Sequence, residues 1–121
     1  MSHVEFLAAY VAALALHRWE AVESFIDDDA CFVFSDGTHV GKSAIEHAIR
    51  ATFQRIEGET YRIADVRWIH VAMDTAVCTY VFAWSGVIDG VASSGHGRGT
   101  SLLVKEARGW KIKLEHLGPS A

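Results

Sequence analysis

Apolar positions along the chain follow two periods. Near the N-terminus and again after residue 43 they recur every three or four residues, the spacing of one helix face. From residue 60 onward they alternate or run in blocks separated by short polar pairs, the spacing of strands. Residues 5–16, EFLAAYVAALAL, contain no Gly or Pro, and Phe6, Tyr10, Ala13 and Leu14 share one stripe, which predicts a helix. A short second helix is predicted over Arg18 to Ile26, with Trp19, Val22, Phe25 and Ile26 inward; Asp27-Asp28-Asp29 ends it and reads as a solvated turn. Ala30 to Ser35 reads as a strand, Asp36-Gly37 as a tight turn and Thr38 to Val40 as the returning strand. Ser43 followed by Glu46 has capping-box spacing and opens a third helix with Ile45, Ala48, Ile49 and Phe53 on its apolar stripe.

Four longer strands follow: Tyr61 to Val71, Thr75 to Ile88, Val91 to Lys105 and Trp110 to Leu117. Met73-Asp74, Asp89-Gly90 and Ala107-Arg108-Gly109 separate them. The order α-α-β-β-α-β-β-β-β defines an α+β class, a single domain over residues 1–121. Long strands twist and curl, so a strongly curved antiparallel sheet is expected to wrap around the three helices. Within Val77 to Ser85, Cys78, Tyr80, Phe82 and Trp84 point one way and Val77, Thr79, Val81 and Ala83 the other. Both faces are apolar, whereas a solvated antiparallel face is normally polar. Three helices cover only one side, so the other is expected to meet a second copy in a homodimer.

Composition narrows the function classes. The chain has 121 residues, half of them hydrophobic, with four Trp, six Phe, three Tyr and a single Pro. That content excludes disorder. A net charge of −4 without a basic tract argues against nucleic acid as partner. The apolar run from Phe6 to Leu16 is too short to span a bilayer and lacks a preceding cationic segment, so no membrane association is expected. Cys31 and Cys78 read as buried free thiols and the protein as cytoplasmic. Seven histidines lack the spacing of a metal site, and neither metal nor cofactor is expected. Ser93-Ser94-Gly95-His96-Gly97-Arg98-Gly99 lacks a strand-loop-helix setting for phosphate and reads as a strand with a bulge or twist.

Several segments, in this order, resemble the nuclear transport factor two superfamily of curved-sheet cones, which includes ketosteroid isomerases, SnoaL-like polyketide cyclases, scytalone dehydratase and limonene epoxide hydrolase. Tyr10-Val11-Ala12-Ala13-Leu14 is similar to the first helix of ketosteroid isomerases. Trp19-Glu20-Ala21-Val22 with Phe25 to Ala30 resembles the second helix and first strand, and Gly41-Lys42-Ser43-Ala44-Ile45 the start of the third helix. Arg98-Gly99-Thr100-Ser101 and Trp110-Lys111-Ile112 with Glu115-His116-Leu117 resemble the last two strands of the SnoaL-like branch. The resemblance implies a cone that binds a small, largely apolar molecule. Tyr80, Phe82 and Trp84 would face the pocket, with Phe34 beside them, and Arg98, Thr100 and Leu102 would line it from the next strand.

The resemblance carries reaction chemistry only in part. In ketosteroid isomerase an Asp base acts with an oxyanion hole of Tyr and a protonated Asp. Tyr10 matches the oxyanion Tyr, but Phe34 stands at the base position and Thr100 at the oxyanion Asp. That mechanism is therefore not expected. The Asp-Arg-Asp set of the epoxide hydrolase is also missing, since Arg98 has no carboxylate pair on its face. Two residues typical of the family are replaced by Leu114 and Gly118. Tyr10, Arg98 and His116 remain as candidate catalytic residues, His116 as a base at neutral pH and Arg98 as a holder of an enolate or phenolate oxygen. Such a set would suit isomerase-, cyclase- or dehydratase-type proton transfer. Alternatively Arg98 pairs with Glu115 or Asp65, His116 caps a backbone carbonyl at a dimer edge, and the protein is a non-catalytic dimeric ligand-binding or dimerisation module.

Overall fold

Helix α1 (His3–Leu14) starts two residues earlier than its apolar stripe suggests, because Ser2 caps it. The Glu5 amide donates to Ser2 Oγ at 3.1 Å and the Ser2 amide to Glu5 Oε1 at 2.9 Å, a reciprocal capping box. Beyond α1 the chain turns at His17, whose backbone is left-handed (φ 52°). Helix α2 (Trp19–Val22) is a single turn followed by a 3₁₀ turn (Glu23–Phe25), which leads directly into β1 (Ile26–Phe34). The Asp27-Asp28-Asp29 triplet is thus not a turn outside the sheet. It begins β1, where pairing with the neighbouring strand is interrupted and Asp27 Oδ1 accepts the Asp29 amide at 2.8 Å. Strand β2 (Gly37–Val40) returns across the Ser35-Asp36 turn.

Helix α3 (Lys42–Arg55) buries Ile45, Ala48 and Ile49. Its cap is Gly41 rather than Ser43. Gly41 takes a positive φ of 89°, which lets the chain turn sharply from β2 into the helix, and the Glu46 side chain bonds Arg50 at 2.7 Å instead of a cap amide. Strands β3 (Glu57–Val71), β4 (Thr75–Ile88), β5 (Val91–Glu106) and β6 (Gly109–Pro119) complete the chain. The computed structural model describes residues 1–119. Among these no helix is long and apolar enough to cross a membrane.

The six strands form one curved, open sheet in the order β2-β1-β6-β5-β4-β3. Every pairing is antiparallel except β1 with β6, which is parallel, so the sheet is mixed. Its concave face packs on the helices around Phe6, Tyr10, Trp19, Ile26, Phe32, Ile45, Leu103 and Ile112. The Asp89-Gly90 turn has positive φ at both residues and pairs Ile88 with Val91. From there β4 and β5 pair without interruption, so the Gly-rich stretch carries no bulge against β4. Gly95, Gly97 and Gly99 lie opposite Trp84, Phe82 and Tyr80, and the rings lie over them.

This register corrects one expectation. Directly paired residues share a face, so Gly99 and Ser101 accompany Tyr80 and Cys78 on the concave side. Arg98, Thr100 and Leu102 lie opposite Val81, Thr79 and Val77 on the convex side, facing away from the helices.

Candidate active site

The concave side is not filled. A cavity of about 320 Å³ lies between α1, α3, the β1–β2 turn and strands β3, β4 and β6. Tyr10 and Leu14 enter from α1, Ile49 and Phe53 from α3, Phe34 from β1, Tyr61 from β3 and Trp84 from β4. These walls are mostly apolar, as in small-molecule pockets generally. The polar lining includes three carboxyls: Glu115 from β6, Glu59 from β3 and Asp36 from the β1–β2 turn.

Glu115 owes its position to an irregularity. The β5–β6 turn pairs Glu106 with Gly109, and this register holds to Leu103 opposite Ile112. It then shifts by one residue, so that Leu102 faces Leu114 and Ser101 faces Glu115. The extra residue on β6 is Lys113, whose Nζ reaches Asp27 at 3.3 Å. An unbroken register would have put Leu114 on the concave side; the bulge substitutes a carboxylate there. Glu115 is only 5% exposed, between Phe32 on β1 and Ser101 on β5. Burial pushes its carboxyl up to about 7, against a usual value near 4.5, while a hydrogen bond from Tyr10 opposes the rise.

Tyr10 is 2% exposed, and its hydroxyl is held well above the ordinary phenol range by burial and by the negative charge of Glu115. It therefore stays protonated and remains a donor. Burial also raises Tyr61, with further contributions from Glu115 and Glu59. Glu59 bonds His17 at 3.0 Å, and burial raises its carboxyl against the opposing pull of that histidine.

Of the residues singled out by sequence, Tyr10, Phe34 and Trp84 line the cavity. Tyr80 and Phe82 face the concave side without reaching it: the Tyr80 hydroxyl is tied to Ser101 Oγ at 2.9 Å, and Phe82 stacks on Tyr61 with centroids 6.3 Å apart. His116 lies opposite Thr100 on the convex face, so neither His116 nor Arg98 can share a ligand with Tyr10 in one chain. Arg98 forms no ion pair with Glu115 or Asp65 among the described residues, and Glu115 faces the other side of the sheet. Sequence reasoning missed Glu115, Tyr61 and Glu59.

An open curved sheet of six strands over three helices, with an aromatic-walled cavity on its concave side, defines the class of α+β cone folds. Residues 4–120 match the SnoaL-like domain, and the chain belongs to that family. A nuclear transport factor 2-like superfamily protein from Salmonella enterica is similar over 97% of this chain and 87% of that one, with a TM-score of 0.88 and 19% identity. A protein of the same fold family from Streptomyces avermitilis, provisionally called a dehydratase, aligns over 98% and 93% with a TM-score of 0.86 and 17% identity. Another from Novosphingobium aromaticivorans, provisionally called a scytalone dehydratase, aligns over 98% and 81% with a TM-score of 0.82 and 15% identity. At these identities the likeness establishes the fold. No curated protein matches the sequence.

Proposed function

We propose that the protein binds a small, largely apolar carbonyl compound in the cone and moves a proton at the carbon next to the carbonyl. The observation that carries this reading is the facing pair of Tyr10 and Glu115 inside an open aromatic cavity. A carboxyl raised to about 7 is half ionised at neutral pH, where a general base works best. Its neighbour Tyr10 is a permanently protonated donor, suited to the enolate oxygen that forms as the proton leaves. Phe34 and Trp84 supply the apolar walls. The chemistry differs from that of the steroid isomerases in its base, which here comes from the last strand rather than from the position of Phe34.

The test is hydrogen–deuterium exchange at the α-carbon of aryl ketones such as 4-phenylbutan-2-one, followed by NMR. Exchange above background that drops in Tyr10→Phe and Glu115→Gln supports the reading, and equal rates in all three proteins overturn it. Ketone binding without any exchange would favour the non-catalytic ligand-binding module.

We further propose a homodimer through the convex sheet face. There Val77, Leu102 and Leu114 lie in one row across β4, β5 and β6, on a face that water would normally select to be polar. Sedimentation at micromolar concentration tests it: a species of twice 13.3 kDa is expected, and a monomer overturns it. A cytoplasmic setting accords with the free thiols Cys31 and Cys78.

A further inference from the structure

The mouth of the cavity holds an arrangement that the reading above does not use. His17 follows the end of α1 in a left-handed backbone conformation (φ 52°), uncommon for any residue but glycine. Three contacts fix it there: its amide donates to the Leu14 carbonyl at 3.1 Å, its ring stacks on Phe53 with centroids 4.7 Å apart at 19°, and Nε2 meets Glu59 Oε1 at 3.0 Å. The Glu59 side chain is 8% exposed and lines the cavity; that of His17 is 23% exposed and stands behind it. Arg55 from α3 and Asp36 from the β1–β2 turn are the other charged groups at this mouth, and Tyr61 is the next inward-facing residue of β3 after Glu59.

Two carboxyls from different strands thus face one ligand space. A site that only shifts a double bond needs one group, which takes a proton and returns it. A site that removes water is best served by two, one to take the proton from carbon and another to protonate the departing oxygen. We propose that Glu59 is that second group, with His17 as its positioning and proton-resupplying partner, and that the cavity suits loss of water from an aryl-bearing β-hydroxy ketone or aldehyde; this rests on the reading of Glu115 as the base.

The electron balance is simple. Glu115 carboxylate takes the α-proton, and the C–H pair becomes an enolate held by the Tyr10 hydroxyl. The enolate collapses to a carbon–carbon double bond as the β-carbon–oxygen bond breaks. The departing hydroxide takes the proton of Glu59 and leaves as water. His17, on the solvent side, returns a proton to Glu59, and Glu115 releases its own to solvent. No oxidant, metal or further reactant is required.

The experiment uses 4-hydroxy-4-phenylbutan-2-one in heavy water, with α-exchange followed by NMR and loss of water by the absorbance of the conjugated enone. Wild type is expected to do both, and Glu115→Gln to lose both. Glu59→Gln and His17→Asn are expected to lose elimination by about a hundredfold, with exchange falling far less. Asn tolerates the left-handed backbone, so that variant keeps the turn. His17→Gly leaves a space beside Phe53, and added imidazole is expected to restore elimination in part, which a merely structural histidine would not permit. Elimination at the wild-type rate in Glu59→Gln, or exchange and elimination falling together, overturns the proposal, and failure of imidazole rescue removes His17 from it. Exchange by wild type without elimination overturns it while leaving the Glu115 reading intact; absence of both overturns the two together.

Discussion

Tyr80 lies directly across the β4–β5 ladder from Gly99, and its ring covers the glycine. A methyl group at Gly99 would collide with that ring and come within 2.8 Å of Leu117 Cδ2. The ring cannot swing aside freely, because its hydroxyl is bonded to Ser101. Gly99→Ala is therefore expected to destabilise the fold by about 1–3 kcal/mol, the usual range for overpacking. Chemical denaturation measures it. In the double variant Gly99→Ala with Tyr80→Leu the added cost of the methyl should largely disappear; an undiminished cost would mean that backbone conformation, not the ring, demands glycine.

Glu115 makes stability and catalysis depend on pH with opposite signs. Its folded value of about 7 lies above the usual 4.5, so between those values the folded chain holds a proton that the unfolded chain has released. Stability accordingly falls as pH rises through that window and levels off above it. The full effect is about 3 kcal/mol for a shift of this size. Glu115→Gln removes the ionisation, so it should be more stable than wild type at pH 8 and close to it at pH 4. Exchange activity, which needs the carboxylate, should rise over the same window with a midpoint near 7. Denaturant midpoints and a pH–rate profile test both, and a stability difference that ignores pH would refute this account of Glu115.

The N-terminal cap offers a local test. Ser2→Ala removes the acceptor for the Glu5 amide and is expected to cost about 1 kcal/mol. The hydrogen bond to the Ser2 backbone holds the Glu5 carboxyl below its ordinary value of 4.5. Its contribution is therefore complete above that value and lost as pH falls through the lowered one. Wild type should therefore lose its advantage over Glu5→Ala in acid, as thermal melts at pH 3 and pH 7 would show, while the Ser2 hydroxyl's contribution persists.

What the sequence revealed and concealed follows from register. The alternation in Val77 to Ser85 was legible because β4 runs there without a break against β5. The parity of β5 was legible too, although the expectation for Arg98 missed it. A two-residue Asp89-Gly90 turn pairs Ile88 with Val91, and counting outward puts Tyr80 opposite Gly99, hence Arg98 on the other face. Glu115 was not legible in this way. The same count from the β5–β6 turn puts Leu114 on the concave side until the one-residue shift at Leu102/Leu103 intervenes, and no local residue type announces it. Glu59 and Tyr61 were hidden differently. They lie in a stretch whose alternation is clear only from Tyr61 onward, and the strand begins earlier, at Glu57.

The convex placement of Arg98 and His116 leads to the last expectation. Both side chains project from the sheet face opposite the cavity, Arg98 beside Val81 and His116 beside Thr100. Ligands held between Tyr10 and Trp84 are separated from them by the sheet itself. Arg98→Ala and His116→Ala should therefore leave the affinity of an aryl ketone for the cavity nearly unaltered, measured by calorimetry or by quenching of Trp84. If that face carries a second copy, reversing charge there with Arg98→Glu should change the dimer dissociation constant while ketone affinity per chain stays the same. A loss of ketone binding in Arg98→Ala, in a protein that still melts cooperatively, would overturn the separation of the arginine from the cavity by the sheet.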